Sequence, residues 1–142
     1  MADEIIAIAT TDLSKELSEH ATSVYCSVQG GDRKTKALVY NASNNPEHKV
    51  ADYINKTIMV KDVLVELIQV ENEETGEMEQ APRVVLIDSK GEAYQAVSAG
   101  MFSAIKKAIQ IFGAPTWDEP LPMLIRQVSV KRGSMLTAEV KL

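Results

Sequence analysis

The stretch Thr57 to Val70, TIMVKDVLVELIQV, constrains the fold of this chain more than any other segment, because it is the longest β-prone run. Side chains alternate between two faces along a strand. Ile58 and Val60 fit one phase of that alternation, whereas Val63, Val65 and Leu67 fit the other. A β-bulge near Lys61-Asp62 reconciles the two phases and bends the strand, as a small barrel requires. Pro82 to Ile87 then reads as the antiparallel return, with the acidic segment Glu71 to Glu79 as the connecting loop.

The remaining elements follow from turn and cap signals. Glu4 to Ala9 reads as a short edge strand. Thr11 to His20 reads as a short helix capped by Thr11 or Asp12, with Leu13 and Leu17 one turn apart. Asn41 to Pro46 is a turn cluster, and Glu47 to Asn55 adds a helical turn carrying Val50, Tyr53 and Ile54. A turn at Asp88 to Gly91 leads into the strand Glu92 to Val97. Ser98 to Phe112 is the clearest helix: Ser98 caps it, Met101, Phe102, Ile105, Ala108, Ile109 and Phe112 form its apolar stripe, and Gly113 and Pro115 stop it. Two closing strands, Met123 to Val130 and Met135 to Leu142, flank the turn Lys131 to Ser134. This order predicts a mainly β fold: a single domain over residues 1–142, built as a small antiparallel OB-like barrel with one well-defined α-helix. An α+β sheet with the helix on one face is the alternative that periodicity leaves open.

Several function classes are excluded by what the chain lacks. There is no phosphate-binding Gly loop, no nucleophile elbow and no dinucleotide fingerprint. His20 and His48 stand apart with no ligand-like spacing, so neither a metal nor another cofactor is expected. No apolar run approaches a membrane span, and the acidic start lacks the basic region of a signal peptide. The lone Cys26 has the inward parity of a small core residue. These features point to a binding protein rather than an enzyme, working in a reducing cytoplasm.

The formal charge of −5 is unevenly spread. Glu71, Glu73, Glu74, Glu77 and Glu79 sit in one segment without a basic residue, and setting them aside leaves the rest formally neutral. Basic residues cluster at Arg33-Lys34-Lys36, at Lys106-Lys107, and at Arg126 with Lys131-Arg132. A local basic patch can hold phosphates while the whole chain stays acidic, although double-stranded DNA binders usually carry a larger positive excess.

The segment Thr22 to Ala42 carries the candidate site. Alternating runs flank Gly30-Gly31, which predicts a hairpin. Its outer face would gather Tyr25, Lys34, Lys36, Leu38 and Tyr40. Rings stack on bases at about 1–3 kcal/mol each, and ammonium groups follow phosphates, so this face suits single-stranded nucleic acid. The competing reading is a solvated strand face. Arg126 shares parity with Leu124, Val128 and Val130 and interrupts an apolar strand face. It reads as a snorkelling stem or as a phosphate contact. Arg132, at a hairpin tip, is a further phosphate candidate beside Lys131. Trp117 reads as a lid on the core, because Asp118 and Glu119 beside it would repel phosphate. Tyr53, Tyr94 and Phe102 are assigned to packing.

The C-terminal part, DSKGEAYQAVSAGMFSAIKKAIQIFG followed by LPMLIRQVSVKRGSMLTAEVKL, resembles the single-stranded DNA-binding proteins of protein-primed phages of Gram-positive bacteria. The shared pattern is a turn followed by Gly-x-x-Tyr-x-x-x-Ser, here Gly91, Tyr94 and Ser98, then an apolar helix and a closing hairpin. The resemblance covers roughly Asp88 to Leu142. It implies an OB-like barrel in the host cytoplasm, coating DNA replication or recombination intermediates without sequence preference. The expected partners are single-stranded DNA, replication or recombination proteins and, through an exposed edge strand, a second copy. The alternative is a protein-interaction module serving as a phage accessory or structural subunit, with the tyrosine face and acidic loop meeting protein. A small-ligand barrel is the weakest option, since no convergent polar set is visible.

Overall fold

In the computed structural model the described residues are 24–131 and 133–142. The expected strand Glu4 to Ala9 and helix Thr11 to His20 lie outside them, as does Arg132. The elements run β1 (Val24–Cys26), α1 (Arg33–Asn44), β2 (His48–Lys49), a 3-10 turn (Val50–Tyr53), β3 (Thr57–Glu71), β4 (Met78–Asp88), β5 (Ala93–Val97), α2 (Ala99–Phe112), β6 (Leu121–Val130) and β7 (Gly133–Val140). Among the described residues the fold is mainly β, 46% strand, and its sheet curls into an OB-like half-barrel with two helices.

β3 organises the sheet. Along one edge it pairs with β4 from Val60 to Glu71. Along the other, its first residues meet β6 (Thr57 opposite Leu124) and its middle meets β1 (Val65 opposite Tyr25). The order across the sheet is β2-β5-β4-β3-β6-β7, with β1 beside β3, and among the described residues only the short β2–β5 pairing is parallel. The register against β4 shifts between Val60 and Asp62, where the phase change in the sequence requires a bulge. Buried Asp62 holds that bulge by accepting from the Ser27 hydroxyl at 2.8 Å and from the Thr116 hydroxyl. Ser27 Oγ in turn accepts from the Val63 N–H at 2.9 Å, and the Trp117 N–H donates to the Lys61 carbonyl at 2.9 Å. A buried carboxylate is tolerated only with such partners.

The bulge also assigns the two faces. Val60, Val63 and Val65 face α2, where Met101 and Ile105 are fully buried; each such side chain contributes about 1.5–3 kcal/mol. Leu64, Val85, Ile87 and Ala93 face the other way and pack on Ala42 and Val39 of α1. α2 follows its sequence signals, with the Ser98 hydroxyl accepting from the Met101 N–H at 3.1 Å and Gly113 ending it. Trp117 is buried against the same core, and its indole N–H donates to the Gly113 carbonyl at 3.1 Å.

The expected hairpin over Thr22 to Ala42 is corrected: its second strand is α1. Asp32 is the N-cap, accepting from the Thr35 N–H at 3.1 Å and the Thr35 hydroxyl at 2.6 Å. Gly30, at φ +146°, lets the backbone pass beside Thr35, where a Cβ would meet its methyl at 3.0 Å. Thr35, Leu38, Val39 and Ala42 recur at helical spacing and form the inward arc. Asn41 to Asn44, expected as a turn, completes the helix before Pro46. Arg83 then ties its end to the sheet, donating to the Ser43 carbonyl at 2.6 Å and pairing with Glu66 at 2.8 Å.

Candidate functional site

α1 presents its polar arc to solvent. Arg33, Lys36 and Tyr40 follow one another at i, i+3 and i+7, so they form one exposed stripe. Tyr40 is 63% exposed, the largest exposed ring on the helix. Lys34 lies about 100° further round, beside Ala37 and Asn41. The helix thus keeps Lys36 with Tyr40 and adds Arg33, but sets Lys34 on the other flank of its exposed arc, about 160° round from Lys36. Asp32 at its N-cap is exposed, and its bonds from Thr35 hold the carboxyl below the ordinary carboxylate range.

Tyr25 is not part of that surface. It sits opposite Val65 in register, so its ring lies on the α2 face of the sheet, while α1 packs on the opposite face. The structure therefore separates Tyr25 from Tyr40. Tyr25 instead lines an open cleft of about 370 Å³ with Val65, Leu67, Phe102, Lys106 and Ile109. Burial, then the nearby Cys26 and Asp62, push its phenol upward. Across the cleft the Lys106 Nζ stands 4.6 Å from the centre of the Phe102 ring, a cation–π pair at i, i+4 on α2. Sequence reasoning placed Phe102 in packing and Lys106 off the apolar stripe. The i, i+4 spacing of a ring and a lysine was the readable signal.

Arg126 lies on β6, whose buried residues are Leu121, Met123 and Ile125. The apolar face that it interrupts is the outer one, where Val128 and Val130 are exposed. Its guanidinium stands 3.6 Å from Glu139, and Lys141 lies 3.2 Å from the same carboxylate. Lys131 is exposed at the β6–β7 turn.

The acidic segment is a projecting ribbon. Among the described residues, Ile68 to Glu71 and Met78 to Ala81 pair only with each other. Its tip is closed by Asn72, whose side chain accepts from the Glu74 N–H at 2.9 Å. His48 is enclosed by aromatic neighbours: it stacks on Tyr94 at 4.6 Å, meets Tyr53 edge-on, and bonds to the Tyr53 hydroxyl at 3.0 Å and Glu92 at 3.3 Å. Burial and the Asp88 hydrogen bond push the Tyr94 phenol strongly upward. Among the described residues no three His, Cys, Asp or Glu side chains gather as a metal site, and no helix is long and apolar enough to cross a membrane.

Comparison with known proteins gives one match. The model of a family described as "Phage Single-stranded DNA-binding protein" matches residues 18–140, a wider span than the C-terminal resemblance in the sequence. No curated protein and no solved structure matches the chain.

Proposed function

The chain belongs to the family of phage single-stranded DNA-binding proteins of the protein-primed type, and from that premise we propose that it coats single strands exposed during DNA replication or recombination, without sequence preference. Residues 1–142 act as one OB-like domain in the host cytoplasm, by binding and not by catalysis. The observation that carries this reading is the exposed stripe of α1. Tyr40 offers a face to any base, with Arg33 and Lys36 beside it and Lys34 on the other flank of the exposed arc, for the phosphates on either side. Stacking is tolerant of sequence because every base has a π-face. Arg126 and Arg132 are secondary phosphate contacts; Arg126 must first exchange Glu139 for a phosphate. The acidic ribbon is too negative to face DNA and is the surface available to replication or recombination proteins.

The test is a titration of labelled oligo(dT) between about 50 and 200 mM NaCl. Each phosphate neutralised on a single strand adds about 0.7 to the log–log salt slope, so three α1 cations give a slope near −2. Lys34→Gln/Lys36→Gln should flatten it by about 1.4. Tyr40→Leu should weaken binding about fivefold or more at every salt concentration. Absence of wild-type binding at the lowest salt defeats the proposal. An unchanged slope in the double variant removes α1 from the interface.

A further inference from the structure

We propose that the cleft between β1 and α2 is a second base-binding subsite for single-stranded DNA, walled by Tyr25 and Phe102 and served by Lys106. The inference rests on the DNA-binding reading above and extends it to a surface on the opposite side of the sheet from α1. Three observations converge there. Tyr25 is 40% exposed although it lines the cleft together with apolar Val65 and Leu67, so part of it remains open to a ligand. The cleft, at about 370 Å³, falls within the usual range of small-ligand pockets and has an apolar floor. Its rim carries a cation already positioned over an aromatic ring, with the Lys106 Nζ 4.6 Å from Phe102.

That chemistry selects the occupant. A purely apolar peptide side chain would leave the Lys106 ammonium unused, and an acidic side chain would find no use for two rings. A nucleobase with its phosphate uses both: the base enters between rings and floor while the phosphate meets Lys106, with exposed Lys107 next to it in sequence. Because the α1 stripe and the cleft lie on opposite layers, a strand held at both sites passes around the β1 side of the sheet. The length of DNA occluded is then longer than one stacking platform needs.

The experiment compares oligo(dT) binding by the full chain and by Tyr25→Leu, Tyr25→Phe, Phe102→Leu and Lys106→Gln, with Tyr40→Leu as reference. Tyr25→Leu and Phe102→Leu should each weaken binding about fivefold or more, while Tyr25→Phe should stay near wild type because stacking needs only the ring. Lys106→Gln, at an exposed position, should flatten the salt slope by about 0.7. If wild type binds and Tyr40→Leu is weakened while the Tyr25, Phe102 and Lys106 variants match wild type, the subsite is refuted and the α1 reading stands. A change in sedimentation of the cleft variants with unaltered DNA affinity would assign the cleft to a second copy of the chain and also refute the proposal. Failure of wild type to bind at all removes both.

Discussion

Replacing Gly100 by alanine would set a Cβ 2.1 Å from the Leu136 carbonyl oxygen and 2.5 Å from the Met135 Cγ. Real Cβ atoms essentially never approach a neighbour within 3.0 Å, so α2 and β7 must separate by close to an ångström at this point. The Met135 side chain can swing aside, but the Leu136 oxygen belongs to the backbone. Overpacking of this kind costs about 1–3 kcal/mol. Alanine returns at most about 1 kcal/mol in helix propensity, and less in a first turn. β7 is an edge strand paired only to β6 among the described residues, so it yields more readily than a central strand would. The net expectation is a loss of about 1–2 kcal/mol, which for a chain of this size lowers Tm by about 3–8 °C. Thermal unfolding followed by far-UV circular dichroism measures it. Gly31→Ala is the control: nothing lies within 4 Å of its Cβ and its φ is not positive, so stability should hold or rise slightly. An unchanged or higher Tm for Gly100→Ala would mean that helix propensity governs the site and that α2 does not seat on β7 through this glycine. The residue matters for function because Phe102 and Lys106 follow on the same helix, and their wall of the cleft moves with its first turn.

The other expectations concern α1, its anchor and the ribbon. Arg83→Met removes the guanidinium from Glu66, Gln95 and the Ser43 carbonyl at a position only 11% exposed, and should cost about 3 kcal/mol in urea unfolding. A loss below about 1 kcal/mol would show that α1 is held by its apolar arc alone. Thr35 holds the Asp32 carboxyl below its ordinary value, so the cap is fully formed above that value and is lost as pH falls through the depressed one. Hydrogen exchange of the α1 amides should therefore quicken in acid for wild type but not for Asp32→Asn, which caps without titrating; equal acid sensitivity in both would rule out the cap as the cause. Changing the five ribbon glutamates to glutamine should speed association with oligo(dT) at low salt and leave it unchanged at high salt, by stopped-flow. A gain that persists at high salt would instead place the ribbon in direct contact with DNA.

Much of the scaffold was legible locally. The phase change between Val60 and Val63 announced the bulge, because alternation allows no other way to keep both sets inside. Ser98 and Gly113 bounded α2, and the isolation of Trp117 among acidic neighbours marked it as a lid. The segment after Gly30 was misread because Leu38, Tyr40 and Ala42 satisfy a strand's period as well as part of a helix's. The Asp32-to-Thr35 cap decides between them, and it is one local side-chain contact that a two-residue turn signal outweighed.

The sequence alone determined a mainly β fold built around one bent strand, a charge division between the acidic segment and the rest, and a candidate set containing two tyrosines and two lysines. Only the tertiary structure decided which of these share a surface. A helix turns each residue by 100°, whereas a strand turns it by 180°, so Tyr40 joined Lys36 and Arg33 rather than Tyr25. Register then placed Tyr25 opposite Val65, on the layer of α2, where long-range packing supplied Phe102 and Lys106 as its neighbours. Local chemistry sets which groups can bind a strand of DNA; the pairing of distant segments sets which of them meet.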